Sequence, residues 1–189
     1  MYYFPNLDNT TRLIMIAELE RDLNGVNENS KPNRLTALPN QKGLFYIPKS
    51  IKPDFVCAYK RILRNAFERG DVESLMRNLI PNFFKEKDKN GKKIPSNIRE
   101  MVAFSDFNRY YIRAILVRAI EENKAVTVYR AKQSINERQE SRACLSNTYF
   151  DKITLQRMLY VIRDYRILFS ENAGMPFLKP NSGLSLKLG

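Results

Sequence analysis

Ser105–Lys124, SDFNRYYIRAILVRAIEENK, decides the fold, because apolar residues recur there on a helical period while three arginines interrupt them. At about 100° per residue, Phe104, Phe107, Tyr111, Ala114 and Ile115 share one side, and Arg118 lands inside that stripe. Arg109 and Arg113 fall nearly opposite, one turn apart, with Asp106 three residues before Arg109. A guanidinium on an apolar stripe requires a counter-charge, since an unpaired buried charge is strongly destabilising. Glu122, four residues on, or Glu121, three on, is the nearest partner for Arg118. Arg118 and Glu122 are therefore read as either a packing ion pair or an anion site. Arg109 and Arg113 are read as a positive edge, either plain surface charge or a polyanion contact.

Outward from this stretch, the helical pattern extends over about Asn97–Asn123, with an expected break near Ser105, and Ala125–Arg130 follows as the clearest strand. Upstream, Asn9 or Thr10 is expected to cap a helix to about Leu23, carrying Leu13, Ile16 and Ala17 at helical spacing, with Gly25 ending it. Val26–Pro53 reads as a long irregular connection in which only Gly43–Ile47 has strand character. Asp54 begins a helix that stops at Gly70, and Asp71 caps a shorter one before Pro81. Ile153–Phe169 is amphipathic, with Leu155, Met158, Leu159 and Ile162 on its core side. Residues 171–189 read as an extended tail ending in LSLKL, which packs on its own domain or adds to another sheet edge. The fold class is a predominantly α-helical α+β single domain, 1–189, with a small sheet and a basic hairpin or loop near 85–94.

Charge limits the partners. The net charge is +12 and almost all of the excess follows residue 50, so the first quarter of the chain is nearly neutral. Such a chain favours polyanions through counterion release. The run Lys85–Lys93, KEKDKNGKK, concentrates Lys85, Lys87, Lys89, Lys92 and Lys93 around an Asn90-Gly91 pair, the chemistry of a two-residue hairpin turn. These lysines, with Arg109 and Arg113, form the candidate nucleic-acid contacts; Phe83, Phe84, Tyr110 and Tyr111 are candidate stacking platforms.

The chain contains no histidine, so Ser-His-Asp and Cys-His catalysis are excluded and the commonest transition-metal ligand is missing. No GxxxxGK[ST] loop or GxGxxG occurs, and Cys57 and Cys144 stand alone, without zinc-ligand spacing. No catalytic residue, metal or cofactor is therefore assigned. The one metal-dependent alternative is a nuclease using Asp106 and Glu122 beside Lys124, but Glu-x-Lys here falls at a helix end rather than on a strand. The first residues lack a basic start and a long apolar core, and no apolar run is long enough to span a bilayer, so a cytoplasmic or virion-associated location is expected.

The segments FPNLDNTTRLIMIAELERD, ERGDVESL, FNRYYIRAILVRAI, VYRAK and PNSGLSLKL, in that order and spanning Phe4–Leu188, resemble a family of small uncharacterised bacterial proteins. The resemblance implies a bacterial or phage setting and a shared fold, and carries no activity. The expected function is a non-enzymatic, basic nucleic-acid-associated protein with DNA or RNA as partner. The alternative is a self-assembling subunit of a virion or defence complex, forming a homo-oligomer or larger protein assembly; a membrane partner is not expected.

Overall fold

The computed structural model describes residues 2–24, 45–133, 139–170, 175–179 and 182–189. Its helices are α1 (Asn9–Asn24), α2 (Val56–Arg69), α3 (Val72–Asn78), α4 (Ile98–Glu122), α5 (Gln139–Ala143), α6 (Lys152–Arg163) and α7 (Tyr165–Leu168). Its strands are β1 (Val126–Arg130), β2 (Thr148–Tyr149) and β3 (Leu184–Leu188), so the class is α+β with helices predominating. Chain contacts divide into two compact units, one of Tyr46–Asn108 and one of Met1–Phe45 with Arg109–Gly189.

The discontinuous unit holds the sheet. β1 lies between β2 and β3, antiparallel to both, in the order β2-β1-β3. Val126, Val128, Leu184 and Leu186 share one face through the pairings Val126 with Leu188, Val128 with Leu186 and Arg130 with Leu184, and all four are buried. Alternation thus builds half a core from two short strands. The terminal LSLKL is therefore a strand of its own sheet. Side chains cover part of its outer edge: Asn6 Oδ1 accepts from the Leu188 N–H at 3.0 Å, and Ser182 Oγ from the Leu184 N–H at 3.2 Å. At the opposite chain end, Tyr2 bridges Lys132, and the Tyr129 hydroxyl donates to the Tyr3 carbonyl at 2.7 Å.

α1 is capped by Asp8 rather than Asn9 or Thr10: its Oδ1 accepts from the Thr11 N–H at 2.8 Å, three residues on, as a helix cap does. The helix buries Met15 and Leu19 but also Thr11, Glu18 and Asp22, while Leu13 is 67% exposed and Ala17 lies outward. Its polar side faces in. The expected helix over 153–169 is two helices, because Asp164 adopts extended backbone and its carboxylate accepts from the Arg166 N–H at 2.9 Å, capping α7. Leu155, Met158, Leu159 and Ile162 are buried as the periodicity predicts.

In the Tyr46–Asn108 unit, Pro53 opens a short 3-10 turn leading into α2, and α3 begins with a capping box between Asp71 and Ser74. Arg99 donates to the Met76 carbonyl at 3.0 Å, near the end of α3. Phe55 packs on Phe83, Phe67 meets Phe107 edge-on, and the Tyr59 hydroxyl donates to buried Asp106. Residues 45–47 form no strand, against the expected Gly43–Ile47; the rest of that segment, and most of the long connection, lies outside the described residues. α4 runs through Ser105 without a break.

Candidate nucleic-acid interface

Lys85–Ile94 does form a hairpin. The Asp88 N–H donates to the Lys92 carbonyl at 2.8 Å and the Ile94 N–H to the Glu86 carbonyl at 2.9 Å, bracketing a bridge between Lys87 and Lys93. The loop is not the expected two-residue Asn-Gly turn. It holds three residues, Lys89–Gly91: the Gly91 N–H returns to the Asp88 carbonyl at 3.1 Å and Gly91 takes φ +77°, a conformation that favours glycine. Asp88 Oδ1 closes the loop by accepting from the Asn90 and Lys92 N–H groups at 2.8 and 2.9 Å.

This register sorts the charges. Lys87 and Lys93 are a non-hydrogen-bonded cross-strand pair, the arrangement that brings side chains closest. Alternation sends Asp88 and Lys92 to the other face, while Lys85 lies beyond a bend at Glu86. All five lysines are exposed. The strand continues into a second pairing, with the Lys85 N–H donating to the Ser50 carbonyl and Lys85 Nζ to the Lys49 carbonyl, each at 2.9 Å. Exposed Lys49 thereby joins the foot of the hairpin. No spacing argument could have found it, since it lies thirty-six positions away and is brought in by tertiary pairing.

The arginines fall differently from the expectation. Arg113 is 1% and Arg109 6% exposed, so neither forms a surface edge for a polyanion. α4 is buried on nearly every side from Val102 to Ile120, leaving no outward face for them to occupy. Arg113 donates to Asp22 Oδ2 at 2.8 Å and to the carbonyls of Ile162 (3.0 Å) and Arg163 (3.3 Å), so it caps the C-terminus of α6. Arg163 binds Glu18 through two nitrogens, the Nε contact at 2.9 Å, and the Tyr110 hydroxyl donates to Asp22 at 2.7 Å beneath the Arg113 guanidinium. Burial alone would raise the Glu18 pKa, but the hydrogen bond and charge of Arg163, with the charges of Arg113 and Arg21, hold it below the usual carboxylate range. Burial, then the Asp22 carboxylate, pushes the Tyr110 phenol well up. Within the cluster Asp22 answers Arg113 and Glu18 answers Arg163, with Arg21 a third positive charge beside them.

Arg118 pairs with Glu122 at 2.7 Å, one of the two partners named from spacing, and also with Asp8 at 2.7 Å and Thr11 Oγ1 at 2.9 Å. It ties the start of α1 to the end of α4. Glu122 is held further by Lys124 at 2.7 Å. The two carboxylates of the nuclease alternative are thus engaged, Asp106 by Tyr59 and Glu122 by two cations, and no cluster of three or more metal-ligating side chains occurs among the described residues. The four aromatics considered for stacking are all buried. No described helix is long and apolar enough to cross a membrane. The chain matches no protein-family model, no curated protein and no solved structure with which it was compared.

Proposed function

We propose that the protein binds nucleic acid through the lysine hairpin, as a non-enzymatic basic factor contacting phosphate rather than reading bases. The observation that supports this is the close Lys87–Lys93 pair, with Asp88 on the opposite face and turned to close its own loop. Like charges directly opposite across a hairpin are unfavourable, and a phosphate between them reverses the sign. Buried aromatics and scattered lysine point charges provide no base readout here, so affinity should depend steeply on salt and little on sequence. Titrating duplex DNA and RNA at rising salt tests this: if all five lysines meet phosphate, log K falls against log salt with a slope of about −4 to −5 on duplex. Lys87→Glu with Lys93→Glu should weaken binding and make that slope shallower by about 2. Absence of binding at low salt, or a flat salt profile, rejects the reading.

A second reading, self-assembly, is supported by the outward Leu13 and Ala17 on α1. Light scattering on Leu13→Lys distinguishes it: an oligomer that dissociates on this change favours assembly, and a monomeric native chain removes it.

A further inference from the structure

We propose that the outer face of α6 is a second contact surface, for single-stranded nucleic acid, on which bases stack. The inference rests on the nucleic-acid reading above but uses different residues. With the core side of α6 fixed by Leu155, Met158, Leu159 and Ile162, the outward stripe is Ile153, Gln156, Arg157 and Tyr160, within about 60° of one line at 100° per residue. Ile153 is 75% exposed and Phe150, just before the helix, 61%, with Tyr160 also exposed. Large apolar side chains are thus presented outward on a helix whose inner face is already filled.

The charges beside them select the occupant. Lys152 and Arg157 are exposed and interleave with Phe150, Ile153 and Tyr160. The nearby carboxylates are both engaged: Asp151 accepts from the Thr154 N–H at 2.7 Å as the helix cap, and buried Asp164 pairs with Arg166. A partner helix would need an apolar residue where Arg157 stands, midway along the stripe. Two exposed rings, Phe150 and Tyr160, with Lys152 and Arg157 between them instead offer stacking surfaces beside phosphate contacts, and only an unpaired strand frees its base faces to stack. A duplex offers this face phosphate alone.

The test uses the full chain with a fluorescein-labelled thymidine oligomer and a duplex of equal length, measured by anisotropy at low salt. Phe150→Ala with Tyr160→Ala should weaken single-strand binding about tenfold or more while leaving the duplex unchanged, and Tyr160→Phe should retain it. Both side chains point outward, so the melting curve should not move. Lys87→Glu with Lys93→Glu should weaken both ligands. If the aromatic variant leaves single-strand binding unchanged while the lysine variant weakens it, this surface is rejected and the hairpin reading stands. If the lysine variant changes neither, the hairpin reading fails. If the aromatic variant instead converts a dimer to a monomer by light scattering, the face is a contact between copies and the inference is overturned.

Discussion

The cluster around Arg113 and the hairpin around Lys87 are both dense in charge, and they differ in where the opposite charge lies. Around Arg113, two arginines meet two carboxylates inside the protein, with the Tyr110 hydroxyl and helix-end carbonyls taking up remaining donors and acceptors. In the hairpin, pairing geometry sets Lys87 and Lys93 on the face opposite Asp88 and Lys92, and Asp88 is occupied with closing its own turn. The first region is complete without a ligand; the second has positive charge left over. Density of charge in a sequence therefore says little until the strand or helix register shows which groups share a face.

The largest expected effect breaks the first region. Arg113→Ala leaves Asp22 buried without its cation and removes the cap from α6, so stability should fall by about 3–5 kcal/mol in urea unfolding. A loss below about 1 kcal/mol would show that the cluster is not a closed unit. Joining Arg113→Met to Asp22→Leu should recover much of the loss, because an apolar pair of similar volume removes the unmatched charge.

Acid should act next, on this cluster through Glu18 and on the ion pairs of Arg118 through Asp8 and Glu122. Glu18, Asp8 and Glu122 all have pKa values lowered in the folded protein, so their contribution is present above the unfolded carboxylate range and is lost as pH falls through the lowered values. Melting temperature should hold steady near neutrality and drop below about pH 4. Hairpin variants should keep that profile, and Glu18→Gln should flatten it; an unchanged profile in Glu18→Gln would contradict the role given to Arg163. The smallest effect sharpens the second region: Lys87→Glu replaces a like pair by an opposite one and should stabilise the protein by about 0.5 kcal/mol while weakening nucleic-acid binding. Destabilisation by that change would mean the hairpin charges are already neutralised within the chain.

Much of the fold was legible because it is written locally. The Asp71 cap, the stop at Gly70, the presence of a hairpin around Asn90-Gly91, though not its loop length, and the core stripe of α6 all act within a few residues. The direction of Arg109 and Arg113 was not, because a helical wheel assumes one wet side. A usable signal was present: Ile112, Ile115, Leu116, Val117 and Ile120 surround the helix axis, which marks a helix buried on every side and obliges each of its charges to find an internal partner. Glu18 and Asp22, one turn apart on α1, are the carboxylates that face Arg113. The α1 cap was misplaced by one or two residues because Asp8, Asn9 and Thr10 are all competent caps and only Asp8 also meets Arg118. Lys49 was invisible for a different reason, since backbone pairing brought it to Lys85.

The span of the buried contacts has a consequence for the order of folding. Glu18 and Arg163 are separated by 145 positions, Asp22 and Arg113 by 91. The unit of Tyr46–Asn108 is one continuous stretch of chain. Closing a long loop costs entropy before any contact forms to offset it, so the continuous stretch should acquire its protected amides early and the sheet late. Pulse-labelled hydrogen exchange that found β1 protected before α2 would contradict this. During synthesis the carboxylates of α1 are made first, yet they wait, solvated, until the arginine of α6 has been added.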